Sequence, residues 1–191
     1  MKNIEETIVE NAIALFKKHG YHQTTINQIC AACNITKGTF YYHFDSKHAI
    51  IFKYYEFLFQ NIVNIMPEII LIKSPKEKLW KLYEYSVDHT KMLTAPLLNV
   101  LMIADAENGL AYFSPLHGGN VTSAHQMEQD LVRQLILQCQ EEGSIRKEAS
   151  PEQLIATFNS AIIGISLDWS STNGSYDHKA WIRQMFDIIF S

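Results

Sequence analysis

Between Asn11 and Phe44 the chain has no aspartate or glutamate, although it carries 20 acidic against 16 Lys and Arg residues and a formal net charge of −4. A surface in that window would not repel phosphate, whatever the charge of the whole. Charged residues are only 19% of the chain against 47% hydrophobic. That deficit predicts surface buried against a second copy. No apolar run reaches membrane-spanning length, since Lys53, Glu56, Gln60, Asn61 and Asn64 interrupt the richest stretch, Ile50 to Ile65. No basic segment with an apolar core and a small-residue cleavage site is present. The expectation is a soluble, cytoplasmic protein with no membrane partner, in which the glycosylation-like Asn120-Val121-Thr122 is chance. Strand alternation, internal repeats and low-complexity tracts are absent. So are a Gly-rich phosphate loop, a nucleophile elbow and a metal-ligand cluster of sound spacing. The expectation is therefore no enzyme, no cofactor and no metal.

What is present is helical nearly throughout, and the densest signal lies at residues 36–47. Thr36 can cap a short helix in which Phe40 and Phe44 turn inward at i,i+4 spacing. The same turns present Lys37, Thr39, Tyr41, Tyr42 and His43 outward. Adjacent tyrosines with a lysine and a histidine suit a surface that meets phosphates and base edges. Gly38 is disfavoured in a helix by about 1 kcal/mol relative to alanine, which fits close approach of a partner. The preceding helix begins at Thr25 and carries Ile26, Ile29, Cys30 and Cys33 on one face. Asn34 tolerates the left-handed conformation of a tight turn, and Ile35 plugs the gap between the helices. The result is a helix-turn-helix at about residues 25–44, whose second helix would enter a major groove. Asn27 and Gln28, at the start of its first helix, add further candidate contacts.

Elsewhere, a first helix is predicted over Ile4–His19, stopped by Gly20. A fourth runs from Asp45 or Ser46 to about Met66, with Lys47 beside the second helix of the helix-turn-helix. Ser74-Pro75-Lys76-Glu77 and Ser150-Pro151-Glu152-Gln153 each combine an N-cap serine, a proline at the first helical position and an acid or amide that completes a capping box. Further helices are predicted from Thr94 to near Gly109, from Ser123 to Gly143 after a loop through Gly118-Gly119, from Pro151 to about Ser171, and from Asp177 to the end. The fold class is all-α with about nine helices: a three-helix N-terminal domain over residues 1–47 and a larger helical domain over 48–191.

With its spacing, this pattern resembles the tetracycline-repressor-like (TetR) family of transcriptional regulators. The resemblance is carried by Leu15-Phe16, Gly20-Tyr21, Thr24-Thr25-Ile26, Ile29 and the run Thr36 to Phe44 with Ser46-Lys47. It covers about the first third of the chain; the rest is similar only in length and helical character. It implies a DNA contact set of Thr25, Asn27, Gln28, Thr36, Lys37, Gly38, Thr39, Tyr41, Tyr42, His43 and Lys47. In that set Thr36, Tyr41, Tyr42 and Lys47 position phosphates, and Lys37, Gly38, Thr39 and His43 approach bases. It implies a dimeric one-component regulator, usually a repressor, on a palindromic operator, released by a small-molecule effector. It further implies that the last two helices pair with their symmetry mates, with Phe158, Ile162, Ile165, Trp169, Trp181, Met185 and Phe186 at the interface. The competing reading is a helical protein-interaction module without DNA binding.

Three groups admit more than one reading. Cys30-Ala31-Ala32-Cys33 is a C-x-x-C motif with His19 and His22 upstream. Packed thiols on an apolar face, a thiol switch and a metal site are the alternatives, packing being the simplest. Cys139 reads as another packed thiol. In the middle region Phe57, Trp80, Tyr83, Met92, Met102, Tyr112, Phe113, His117, His125 and Phe158 either line an effector pocket, with Asp105 or Asn159 supplying polarity, or form plain core.

Overall fold

A computed structural model describes residues 3–59, 62–107 and 123–191. Among these the protein is all-α: α1 (Ile4–His19), α2 (Ile26–Cys33), α3 (Lys37–His43), α4 (Lys47–Phe59), a 3-10 turn (Ile62–Ile65), α5 (Met66–Leu71), α6 (Pro75–Met92), α7 (Ala95–Glu107), α8 (Ser123–Glu142), α9 (Pro151–Ser171) and α10 (His178–Ile189). No described helix is long and apolar enough to cross a membrane. Tyr112, Phe113, His117 and the expected loop after Gly109 lie outside the described residues, as do the side chains of His125 and Gln126.

Two compact units divide the chain at Leu58/Phe59. In the first, Ile8, Val9, Ala12, Ile13 and Phe16 of α1 form a buried stripe, joined by Ile29 and Cys30 of α2, Phe40, Phe44 and Ile50. Caps fix the helix ends. Gly20 takes φ 85 and its N–H closes on the Phe16 carbonyl at 2.9 Å. Thr25 and Gln28 form a reciprocal capping box, and Asn34 ends α2 at φ 52. The Thr36 hydroxyl accepts from the Thr39 N–H at 3.1 Å to start α3. Where the sequence boundary falls at residue 47, α4 here stays with the first unit through Leu58, tied to α1 by the ion pair Lys53–Glu5 at 3.6 Å.

The expected fourth helix does not continue to Met66. It ends at Phe59, and a 3-10 turn and the separate α5 follow. Pro67 sits in the first turn of α5, where its missing N–H is harmless, and so starts a helix instead of merely ending one. This adds one helix to the expected nine. Two apolar residues of α5, Ile70 and Leu71, are exposed.

The second unit is built on α6, α8, α9 and α10. Its centre is aromatic: Tyr83 meets Phe158 edge-on at 4.6 Å, Phe186 lies 4.7 Å from Phe190, and Trp80 lies 5.3 Å from Phe186. An edge-to-face pair such as Tyr83–Phe158 adds about 0.5–1.5 kcal/mol beyond its buried area. A band of ion pairs joins α6 to α10, Glu77 to Arg183 at 3.1 Å and Glu84 to Lys179 at 2.7 Å. Between α9 and α10 the buried His178 ring stacks on Trp169 at 4.9 Å and shares a 2.9 Å hydrogen bond with the Ser166 hydroxyl, while its Nδ1 has no partner. Thr94 links α6 to α7 at φ 67, a costly backbone conformation for a β-branched residue.

Candidate nucleic-acid interface

The helix α3 is short, with one buried side. Phe40 is fully buried, and Phe44, just beyond the helix, is nearly so. Opposite them Tyr41 is 51% and Tyr42 84% exposed. Lys37 and Gly38 are exposed too, and Thr39 and His43 are half-buried. An 84%-exposed phenol contributes almost nothing to the core and leaves its ring and hydroxyl open to solvent.

Gly38 supports the same conclusion by a different route. A Cβ built there would meet only the Thr36 hydroxyl, at 3.6 Å, an ordinary contact. No internal packing demands glycine, and its helix penalty therefore has no return inside the protein. Backbone exposed at that position is what lets another molecule approach closely.

The helix α2 contributes its N-terminus. Thr25, Asn27 and Gln28 are all exposed. Thr25 and Gln28 are also committed locally: the Thr25 N–H donates to Gln28 Oε1 at 2.7 Å, and the Gln28 N–H to the Thr25 hydroxyl at 3.3 Å. Thr36 is similarly engaged, its hydroxyl 3.0 Å from that of Thr39. These residues are therefore held in fixed rotamers that display their remaining hydrogen-bonding capacity to solvent.

Lys47 differs from the expectation that it faces outward. Its ammonium donates to the Tyr21 carbonyl at 3.0 Å and the Thr24 carbonyl at 2.8 Å, and lies 4.3 Å from the centre of the Tyr21 ring. Burial pulls its pKa below the usual lysine value. The Tyr21 carbonyl, which also accepts from the Thr24 N–H at 3.3 Å, and the Thr24 carbonyl draw in the ammonium, and this tertiary pull is invisible in local spacing. Lys47 thus staples the turn that precedes the Thr25 cap.

The cysteines are placed as packed thiols. Cys30 is buried, and the half-buried Cys33 points its sulfur at the Thr7 carbonyl, 3.8 Å away. Burial, then the neighbouring Cys30, pushes the Cys33 thiol up, away from the reactive thiolate. Among the described residues no three His, Cys, Asp or Glu side chains are grouped to hold a metal.

The middle-region residues do not gather into one described site. Phe57 lies on α4 in the first unit, under the Lys53 ammonium at 5.4 Å. Trp80, Tyr83 and Phe158 belong to the aromatic core, and Met102 and Asp105 are buried on α7. Asn159 is half-buried, and Met92 is exposed. Two residues assigned to a subunit interface need correction: Phe158 and Phe186 are fully buried within their own chain. Helical spacing marks them as apolar but cannot tell which apolar side faces inward. Ile162, Ile165 and Met185 are half-buried against the same core. Trp169 is half-buried, its Nε1 donating to the Tyr176 carbonyl at 3.0 Å. Trp181 remains 52% exposed, and Leu167 and Ile188 beside it in the pattern are exposed as well.

The geometry of α2, Asn34 and α3 defines a helix-turn-helix protein. Residues 8–54 match the family model described as bacterial regulatory proteins, tetR family. It is 33% identical over 102 residues to the uncharacterized HTH-type transcriptional regulator YuxN of Bacillus subtilis, spanning 51% of this chain and 35% of that protein. It is 40% identical over 63 residues to IcaR of Staphylococcus aureus, the negative transcriptional regulator of the icaADBC biofilm operon, spanning 33% of this chain and 34% of that protein. These alignments cover about a third of the curated relatives' own length. Over the whole fold, Thermus thermophilus FadR, a TetR-family repressor solved with lauroyl-CoA, superimposes with a TM-score of 0.65 at 19% identity, covering 97% of this chain and 92% of that one.

Proposed function

We propose that the chain is a one-component transcriptional repressor that binds a palindromic DNA operator as a homodimer and leaves it when a small-molecule effector binds. The DNA-reading role falls to the first unit, and the effector and dimerisation roles to the second. The observation that carries this is α3, which presents Tyr41 and Tyr42 to solvent beside a glycine with no internal reason to be one. The absence of acids from Asn11 to Phe44 favours the same surface. In IcaR the described role is negative regulation, and FadR was solved with an acyl-CoA; both support a ligand-responsive repressor here.

Two α3 helices related by a two-fold axis would enter successive major grooves roughly 34–36 Å apart. The exposed Leu167, Trp181 and Ile188 supply apolar surface for pairing α9 and α10 with a second copy. A hundredfold loss of operator affinity requires about 2.7 kcal/mol of coupling between the sites, and DNA must weaken effector binding by the same factor.

The test is fluorescence anisotropy on duplex DNA from upstream of the protein's own gene, against a scrambled duplex, at several salt concentrations. The affinity for the true site should exceed that for the scramble and fall by roughly one log unit per log unit of salt for each phosphate neutralised. Tyr42→Phe should weaken binding to both duplexes, whereas Lys37→Ala should narrow the gap between them. Equal affinity for both duplexes would remove the repressor reading. Sedimentation that shows a monomer at micromolar concentration would remove the dimer.

A further inference from the structure

The ring of Tyr21 gathers cations. It sits in the turn between α1 and α2, nearly buried, with Phe16 against it at 5.0 Å. The Lys47 ammonium lies 4.3 Å from its centre. Two imidazoles meet the same ring, His22 edge-on at 5.3 Å and His48 tilted at 5.4 Å. His22 comes from the turn and His48 from the first turn of α4, and both are exposed. Two distant stretches of chain thus bring two histidines and a lysine to one phenol. Lys47, through the Thr24 carbonyl, ties the group to the residue just before the Thr25 cap of α2.

The surrounding elements offer this group no counter-charge. Among the described residues neither imidazole is in an ion pair with a carboxylate. The helix α2 has no charged residue, α1 ends in Lys17, Lys18 and His19, and α3 carries Lys37 and His43. The one acid close in sequence is Asp45, exposed ahead of α4. Burial pushes the Tyr21 phenol up to about 12, so it stays uncharged. Two exposed histidines placed beside a lysine gain nothing from each other when charged, since like charges repel. They gain when an anion arrives, because an opposite charge within about 4–6 Å favours the protonated imidazole.

We propose that His22 and His48, both packed on the Tyr21 ring, form a proton-dependent seat for a phosphate of the DNA backbone at the α2 end of the helix-turn-helix. The proposal rests on the DNA-binding reading above. Imidazole is the side chain whose charge ordinarily changes near neutral pH. Beside a phosphate its protonated form is favoured, and its N–H groups then make charge-assisted bonds to phosphate oxygens. Binding takes up a proton from solvent for each imidazole that engages. By linkage, affinity rises as pH falls. Phosphate is common to every sequence, so the gain is the same on the operator and on unrelated duplex.

The test is anisotropy of the full chain on the upstream duplex and on its scramble at fixed ionic strength. Both affinities should rise about tenfold between about pH 8 and about pH 6. Calorimetry in two buffers of different ionisation enthalpy should show net proton uptake. His22→Gln combined with His48→Gln should remove most of the rise and leave the ratio between the duplexes unchanged. His22→Lys combined with His48→Lys, cationic throughout, should bind tightly at the higher pH and lose the rise. His19→Gln, at the exposed end of α1, should keep it. Melting curves report that each variant folds. An affinity independent of pH, a rise that the glutamine pair leaves intact, or a rise that His19→Gln abolishes would each overturn the seat without touching the repressor reading. The expected rise with no preference for the upstream duplex would support the seat and fail that reading instead. Binding to neither duplex at any pH would overturn both.

Discussion

The helix α3 and the core of the second unit use their tyrosines and phenylalanines differently. In the first, Tyr41 and Tyr42 stand out from α3 with little protein around them; in the second, Tyr83, Phe158, Phe186 and Phe190 are packed ring on ring. An aromatic residue contributes to stability only through the surface it removes from water. Tyr42 therefore adds little to the fold of the first unit, whereas the Tyr83, Phe158, Phe186 and Phe190 rings hold the second together. Gly38 is a non-aromatic counterpart of Tyr42, a glycine that no internal packing demands.

Breaking the aromatic centre should give the largest effect. Phe158→Ala is expected to cost about 3–5 kcal/mol, whereas Tyr42→Ala should change stability by less than about 0.5 kcal/mol; urea melts of the two variants test the contrast. Glu128 on α8 comes next, a carboxyl that burial pushes up. Unfolded, it titrates near 4.5, and folded near 7, so between these values the folded chain holds more protons. Its favourable contribution is complete below about pH 4.5 and is lost as pH rises through 7. The loss amounts to about 3 kcal/mol at pH 8. Glu128→Gln should flatten that dependence and raise stability at pH 8, measured as the difference between melts at pH 5 and pH 8.

Lys47 sharpens the comparison within the first unit. Because its ammonium is spent on two carbonyls, Lys47→Ala should lower stability by about 1–2 kcal/mol. Tyr42→Phe should not, though both are expected to weaken DNA binding. Stability and anisotropy measured together separate the staple from the contact. The smallest effect is at Gly38, where alanine should stabilise by about 0.5–1 kcal/mol and still reduce DNA affinity. A Gly38→Ala protein that is both more stable and fully competent for DNA would cancel the argument made from that position.

The parts of this molecule that were readable in advance are those whose cause is local. Asn3, Thr25, Thr36 and Ser150 bond to N–H groups two or three residues on, so spacing alone locates α1, α2, α3 and α9. The outward face of α3 follows from two phenylalanines four residues apart. What could not be read depends on partners distant in the chain. Lys47 turns inward for carbonyls some 23 and 26 residues earlier, and Phe158 is enclosed by rings from α6 and the C-terminus. Pro67 was legible as a break but ambiguous between an ending and a beginning. Glu128 left a sequence signal, an acid in register with Val132, Leu135 and Cys139, and that register becomes visible only once the inward side of α8 is known.

The His178 ring, closed in against Trp169 and Ser166, makes acidity the weak point of the α9–α10 junction. Burial first, then the nearby Lys91, holds the imidazole down at about 4, with Asp177 opposing them, so it stays uncharged when the free residue would already be protonated. The support it gives is whole above about pH 6.5 and drains away as the solution is acidified toward 4. Low-pH elution or storage would therefore loosen the C-terminal helical hairpin through this one side chain.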